Sequence, residues 1–260
     1  MKVITNGTSL NIADSGRGDT ALVFLHHWGG SSRTWFEVTA ALSDRFRCVA
    51  IDARGAGDSD APATGYATSD HADDALGVIT ALKLERYVLV GHSMGGKAAQ
   101  LLAARRPKGL LGVVLVASSP PSPMAIGDDQ RVQMKGAYSS RESVNWSLDN
   151  VLVGSPISSE EREQLVTDAL RLSPPAVEGW IEVGGREDIS FDVVKIDAPV
   201  VIIAGTVDHV DTPEIVQTKI VPHFPAAPVH MLSGKGHLLP VEAPAEIARV
   251  VDEFATALLH

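Results

Sequence analysis

Gly91-His92-Ser93-Met94-Gly95-Gly96 lies between an apolar run, residues 87–90, and a stretch of small, helix-compatible residues, 97–106. A buried strand that runs straight into a helix leaves room only for a very tight turn. Gly91 and Gly95 remove the β-carbons that would clash on either side of Ser93, and Gly96 adds clearance against the helix. The spacing therefore predicts Ser93 at the apex of a strained strand–turn–helix junction, its hydroxyl projecting over the end of a sheet. A hydroxyl is a weak nucleophile at neutral pH. It needs a base within hydrogen-bond reach and donors for the oxyanion it generates.

Outward from that junction the chain alternates strand and helix. Residues 1–4 and 10–13 flank an Asn6-Gly7 turn and read as an antiparallel hairpin. Residues 21–25, 48–51, 87–90 and 113–116 are continuous apolar runs, as expected for strands covered on both faces, with helical spacing between them. Ser69 is the expected cap of the helix over 69–82. This rhythm predicts an α/β fold, a mostly parallel, doubly wound sheet. It breaks at Ser118. Residues 119–123 are rich in Pro and Ser, and no further strand of this kind is expected before Val200. Helical segments are expected over 129–138, 141–152 and 159–172, so residues 120–194 read as a helical cap inserted between core segments 1–119 and 195–260. The alternation resumes with strands near 199–204 and 229–232 and helices near 213–220 and 244–258.

Composition narrows the function classes. The chain has 22 basic and 32 acidic residues, a net charge of −10, which disfavours nucleic-acid and anionic-membrane partners. Cys48 is the only cysteine, so neither an intramolecular disulfide nor a thiolate metal cluster is expected. No H-x-x-x-H or C-x-x-C spacing occurs, and no metal site is expected. The first ten residues have neither the charged nor the apolar region of a secretory leader, and no apolar run is long enough to cross a bilayer; the expected location is cytoplasmic.

Two further residues fit the chemistry. Asp208 follows the strand near 200–204 and His237 follows the strand near 229–232, so both should lie at carboxyl ends of parallel strands, on the same rim as Ser93. Asp211, three residues beyond Asp208, is the competing carboxylate; it precedes Thr212-Pro213 and is expected beside the start of the next helix. The amide of Met94, at the start of the helix after Ser93, is a candidate oxyanion donor.

Gly-His-Ser-Met-Gly-Gly in this setting resembles the nucleophile elbow of the α/β-hydrolase superfamily, and the order Ser93, Asp208, His237 resembles its catalytic order. The resemblance implies a serine hydrolase of the esterase or cofactor-free haloperoxidase-like branch. Ser93 would attack, His237 would serve as general base and then acid, and Asp208 would fix the imidazole tautomer. It also assigns the second oxyanion amide to Trp28, in His26-His27-Trp28. Relatives usually carry glycine where His27 stands, so His27 either needs a different local backbone or adds an imidazole near the substrate pocket. Trp146 and Trp180 of the insertion either line that pocket or fill a core. Asp52-x-Arg54-Gly55-x-Gly57-x-Ser59 resembles a further family motif, in which an Asp52–Arg54 pair is expected to brace the loop.

The implied activity is cofactor-free hydrolysis of small to medium carboxylic esters, with a small-molecule ester-like substrate as partner. The same triad serves lactonases, C–C bond hydrolases, acyltransferases and perhydrolases. Epoxide hydrolases and haloalkane dehalogenases need a carboxylate in place of Ser93. From other classes, a non-catalytic ligand receptor and a cofactor-free oxygenase remain as alternatives.

Overall fold

A computed structural model describes residues 1–259 of the chain. Asn6 and Gly7 both take the left-handed backbone that a two-residue hairpin turn requires, with φ of 49° and 72°. They join β1 (Lys2–Thr5) to β2 (Thr8–Ser15). The remaining strands are β3 (Ala21–Leu25), β4 (Arg47–Ile51), β5 (Tyr87–His92), β6 (Leu110–Val116), β7 (Val200–Gly205) and β8 (Val229–Leu232). They form one eight-stranded sheet in the order β1-β2-β4-β3-β5-β6-β7-β8. From β4 to β8 every pairing is parallel, while β2 runs antiparallel to both of its neighbours.

The sheet is doubly wound because its apolar runs point to two faces in turn. Val23, Leu25, Leu89, Val113 and Leu115 pack under α2 (Thr68–Ala81) and α3 (Met94–Ala104). Leu22, Phe24, Val88, Val90, Val114 and Val116 pack under α1 (Phe36–Leu42) and the C-terminal helix Pro244–Ala257. Cys48 is fully buried within this second face, and desolvation pushes its thiol up to about 12.

Between β6 and β7 the chain forms α4 (Asp128–Gly136), α5 (Arg141–Ser147), α6 (Ser159–Arg171), α7 (Pro174–Glu182) and α8 (Ser190–Val193). Helix α5 continues into a wider turn over Leu148–Leu152. The sequence reading did not include α7, whose start is Pro174-Pro175 behind a Ser173 cap. Proline suits the first helical turn, where no amide partner is lost. This segment has its own small core of Val144, Leu148, Leu165, Val166 and Ala169, closed below by Leu238. Its two necks are tied together by Lys97, fully buried on α3, whose ammonium donates to the carbonyls of Glu187, 2.6 Å, and Ser122, 3.4 Å. After β7 comes the short α9 (Pro213–Ile215); after β8 come α10 (Leu239–Glu242) and α11 (Pro244–Ala257).

Two local expectations are corrected. Helix α2 begins at Thr68, so Ser69 lies inside its first turn, and the Asp70 carboxylate caps the Ala67 amide instead. Arg54 does not pair with Asp52. Its guanidinium makes a two-pronged ion pair with Asp74 on α2, both contacts 2.6 Å, and donates to the Gly65 carbonyl. Asp52 accepts instead from the amides of Ser32 and Asp58 and from the Asn11 side chain. A carboxylate ringed by three neutral donors needs no cation to remain charged, and burial opposes but does not overcome them: its pKa lies below the ordinary value.

Candidate active site

Ser93 occupies the turn between β5 and α3 with φ 53° and ψ −117°, a left-handed conformation that costs a non-glycine residue on the order of 1–3 kcal/mol. The three glycines around it have separate reasons. A β-carbon on Gly91 would lie 2.5 Å from the Gly95 carbonyl oxygen, one on Gly95 would strike the Leu25 carbonyl, and one on Gly96 would strike Ser118. The strain is held by backbone bonds: the Ser93 amide donates to Val116, and its carbonyl accepts from Gly96, Lys97 and Ser119.

The ends of β5, β7 and β8 bring three side chains together. Nε2 of His237 lies 2.9 Å from Ser93 Oγ, and its Nδ1 lies 2.9 Å from Asp208 Oδ2. An Nδ1–H donated to the carboxylate leaves Nε2 free to accept the serine proton. Asp208 Oδ1 accepts from the amides of Val210 and Asp211, which fixes the carboxylate itself. All three residues are buried, Ser93 at 6% exposure. Burial lowers the affinity of the His237 imidazole for a proton. The charge and hydrogen bond of Asp208, with smaller contributions from Asp211 and Glu242, outweigh it and hold the pKa above its ordinary value.

Asp211 immediately precedes the N-cap of α9, but its carboxylate does not cap the helix. Thr212 caps α9 through its own hydroxyl, and Asp211 is turned into the interior, 3% exposed, with Oδ2 unpartnered among the described residues. Burial, reinforced by Asp208 and only partly countered by His237 and Lys97, pushes its carboxyl up to about 8. Burial thus favours the protonated form of Asp211, and the side chain that bonds the imidazole is that of Asp208.

The loop after β3 is set by His26. The Ala53 amide donates to its Nε2, 2.9 Å, so Nδ1 carries the proton and donates to the His27 carbonyl, 2.7 Å. That carbonyl also accepts from Gly30. In a trans peptide the Trp28 amide points opposite to the His27 carbonyl, so His26 aims the Trp28 N–H away from itself. Among the described residues neither the Trp28 amide nor that of Met94, at the first position of α3, donates a hydrogen bond.

His27 takes no left-handed backbone; Gly29 does, with φ 88°. The extra imidazole is accommodated in a tilted ring contact, 4.9 Å from the ring of His92, which in turn lies 5.3 Å from that of His237. Burial, then the charges of His92, His26 and His237, keep its pKa well below the ordinary value, so it is neutral.

Of the two alternatives for the tryptophans, pocket or core, Trp180 takes the core and Trp146 takes neither. Trp146 is 61% exposed on the outer side of α5, because the inner side of that helix is taken by Val144 and Leu148. Trp180 is buried, but its ring packs beneath Gly184 in the seam between α7 and the following turn. The aromatic that covers the loop after β3 is Tyr138, between α4 and α5. Its ring lies 4.4 Å from that of Trp28, its hydroxyl donates to the Trp28 carbonyl, and it fills the space beside Gly29. Nothing in the periodicity marked Tyr138, since its partner lies 110 residues away.

Sequence reasoning also missed His92 and Glu242. His92 Nε2–H donates to the His237 carbonyl, and the Glu242 carboxylate gathers the amides of the histidine loop and of the insertion. No helix among the described residues is long and apolar enough to cross a membrane, and no three His, Cys, Asp or Glu side chains among them are grouped to hold a metal ion.

Comparison with known proteins agrees with this architecture. The profile of the alpha/beta hydrolase fold matches residues 20–144. A Bacillus subtilis protein provisionally named 2-succinyl-6-hydroxy-2,4-cyclohexadiene-1-carboxylate synthase is 25% identical, with 98% of this chain and 97% of the relative aligned. The 2-(acetamidomethylene)succinate hydrolase of Mesorhizobium japonicum is 38% identical, over 43% of this chain and 40% of the relative. Among solved structures, an esterase from Exiguobacterium antarcticum superposes with a TM-score of 0.89 at 20% identity, covering 98% of both chains. Sheet order, elbow and matched profile together show that the chain has the α/β-hydrolase fold.

Proposed function

We propose that the protein hydrolyses small to medium carboxylic esters through an acyl-enzyme on Ser93. The observation that carries this reading is the unbroken chain Ser93 Oγ, His237 Nε2, His237 Nδ1, Asp208 Oδ2, with both contacts 2.9 Å. As Ser93 Oγ bonds to the ester carbonyl carbon, its proton passes to Nε2. The imidazolium so formed is stabilised by Asp208. The carbonyl oxygen becomes an oxyanion, for which the unengaged amides of Met94 and Trp28 are the donors. Collapse expels the alcohol, which takes the Nε2 proton. Water then adds to the acyl-enzyme with His237 again as base, and the carboxylic acid leaves. The residues from 120 to 194 act as a cap over this site, with Tyr138 as the contact above the oxyanion loop.

A carboxylate nucleophile, which epoxide opening requires, is absent at position 93. Lactones and other acyl donors would use the same groups, so the substrate panel decides among them. A fluorophosphonate should label Ser93, and p-nitrophenyl esters from acetate to palmitate should define the acyl range, with lactones tested in parallel. In Ser93→Ala, turnover should fall by up to about a million-fold. Turnover retained above a few per cent of the parent, or consumption of oxygen in place of ester cleavage, would overturn the serine mechanism.

A further inference from the structure

Glu242 lies on α10, five residues beyond His237, and is 7% exposed. Its carboxylate has no cationic partner within ion-pair distance among the described residues. It is surrounded by donors from two separate parts of the chain. From the insertion come the amide of Gly154, 2.9 Å, and the amide and hydroxyl of Ser155, 2.8 and 3.0 Å. From the histidine loop comes the amide of Gly236, 3.0 Å. The two backbones meet without side chains between them: a β-carbon on Gly154 would lie 2.5 Å from the Gly236 nitrogen. Beside this contact the His237 amide itself donates to the Leu152 carbonyl, 2.8 Å. Lys235 closes the outer side, its ammonium donating to Ser155 Oγ and to the Glu242 carbonyl.

We propose that Glu242 is a positioning residue that clasps residues 152–155 of the insertion to the histidine loop, so that the placement of the insertion sets the placement of His237. This rests on the reading of His237 as the general base. A buried carboxylate that accepts several N–H bonds is rigid, because each donor removes one direction of movement. A base displaced by about 1 Å loses on the order of a hundredfold in rate. The clasp therefore acts on the chemical step and leaves substrate affinity largely to other parts of the pocket.

Glu242 also faces the imidazole electrostatically. The other groups around His237 are Asp208 and Asp211 from the loop after β7, His92 from the elbow and His27 from the loop after β3. Removing the Glu242 charge takes away one of the influences that raise the His237 pKa.

The test compares the full-length parent with Glu242→Gln and Gly154→Ala, measuring kcat, KM, thermal unfolding and the NMR titration of the His237 ring. Glu242→Gln should lower kcat on the order of a hundredfold with KM within about twofold, and shift the His237 titration downward. Gly154→Ala keeps the carboxylate but pushes the two backbones apart. It should lower kcat comparably while moving the titration less. Ser155→Ala, which removes a single hydroxyl donor, serves as the mild variant if either protein folds poorly. Parent-like kcat and titration in Glu242→Gln would overturn the proposal, as would a loss of activity that only follows the loss of folded protein. If the parent itself turns over no ester, the functional reading fails, while the ring titration still decides whether Glu242 governs His237.

Discussion

The imidazole of His92, the residue before the nucleophile, donates to the backbone carbonyl of His237, the residue that bonds the nucleophile, at 2.8 Å. The elbow thus holds its partner loop twice, once through Ser93 Oγ and once through the side chain beside it. His92 is fully buried and, through desolvation first and the charge of His237 second, remains neutral. His92→Phe should leave that carbonyl without its donor, at a cost of about 1–3 kcal/mol in stability, and should lower kcat with it. His92→Gln can present an N–H at a similar place and should recover most of both. Chemical denaturation and turnover of the two variants check this; equal losses in Phe and Gln would remove the hydrogen bond as the cause.

Asp208 and Asp211 should separate cleanly. Asp208→Asn leaves the imidazole with the wrong tautomer and should cost about four orders of magnitude in kcat. Asp211→Asn resembles the protonated form that burial favours and should keep most of the activity at neutral pH. The pH profiles of kcat for both variants decide the assignment, and the reverse ranking would move the acid to Asp211.

The stability of the protein should carry the mark of Asp211. Its folded pKa of about 8 lies above the ordinary carboxylate value, so the folded state holds a proton that the unfolded state releases. Stability from this group is therefore present below the unfolded pKa, near 4, and is lost as pH rises toward 8. Asp211→Asn has no such proton to lose. Urea unfolding should find parent and variant similar near pH 4 and the variant relatively more stable by pH 8. Parallel curves across that range would contradict the buried, protonated state.

Ser93 is held at φ 53°, where only glycine is free of strain. Ser93→Gly and Ser93→Ala should both be inactive, yet Ser93→Gly should unfold about 1 kcal/mol later because it relieves the left-handed backbone. Thermal denaturation of the pair measures this difference.

Substrate preference should respond to Tyr138 and not to Trp146. Tyr138→Ala removes the ring packed on Trp28 and Gly29 and should raise relative turnover of longer acyl esters. Trp146→Ala removes an exposed side chain and should leave the ester profile unchanged. A changed profile in Trp146→Ala would mean that α5 rearranges around substrate.

The legible parts of this molecule were those written in local spacing. Continuous apolar runs gave the parallel strands, Asn6-Gly7 gave the hairpin, and glycines on both sides of Ser93 gave the elbow. Asp208 and His237 could be singled out because each follows a strand at the same rim. What escaped was set by distant partners. Arg54 reads as a partner for Asp52, two residues away, but pairs with Asp74 because α2 brings that carboxylate to its open side. Trp146 reads as either a pocket or a core residue, and only the packing of Val144 and Leu148 shows that it faces outward. Glu242 and Tyr138 carry no periodic signal at all, since their roles arise where the insertion meets the core.

The nucleophile and its base also hang on unequal supports. Ser93 follows β5, which has hydrogen-bonded neighbours on both sides, and its backbone is bonded to β6 and the following turn. His237 follows β8, an outer strand of four residues, all only partly buried and paired to β7 alone. Opening of a sheet edge requires far less free energy than global unfolding. Brief fraying of β8 would withdraw the imidazole while the elbow stays formed, leaving an intact but unactivated serine. Mild denaturant should then silence the protein before its secondary structure melts, and amide exchange should be fastest in the strand that delivers the base.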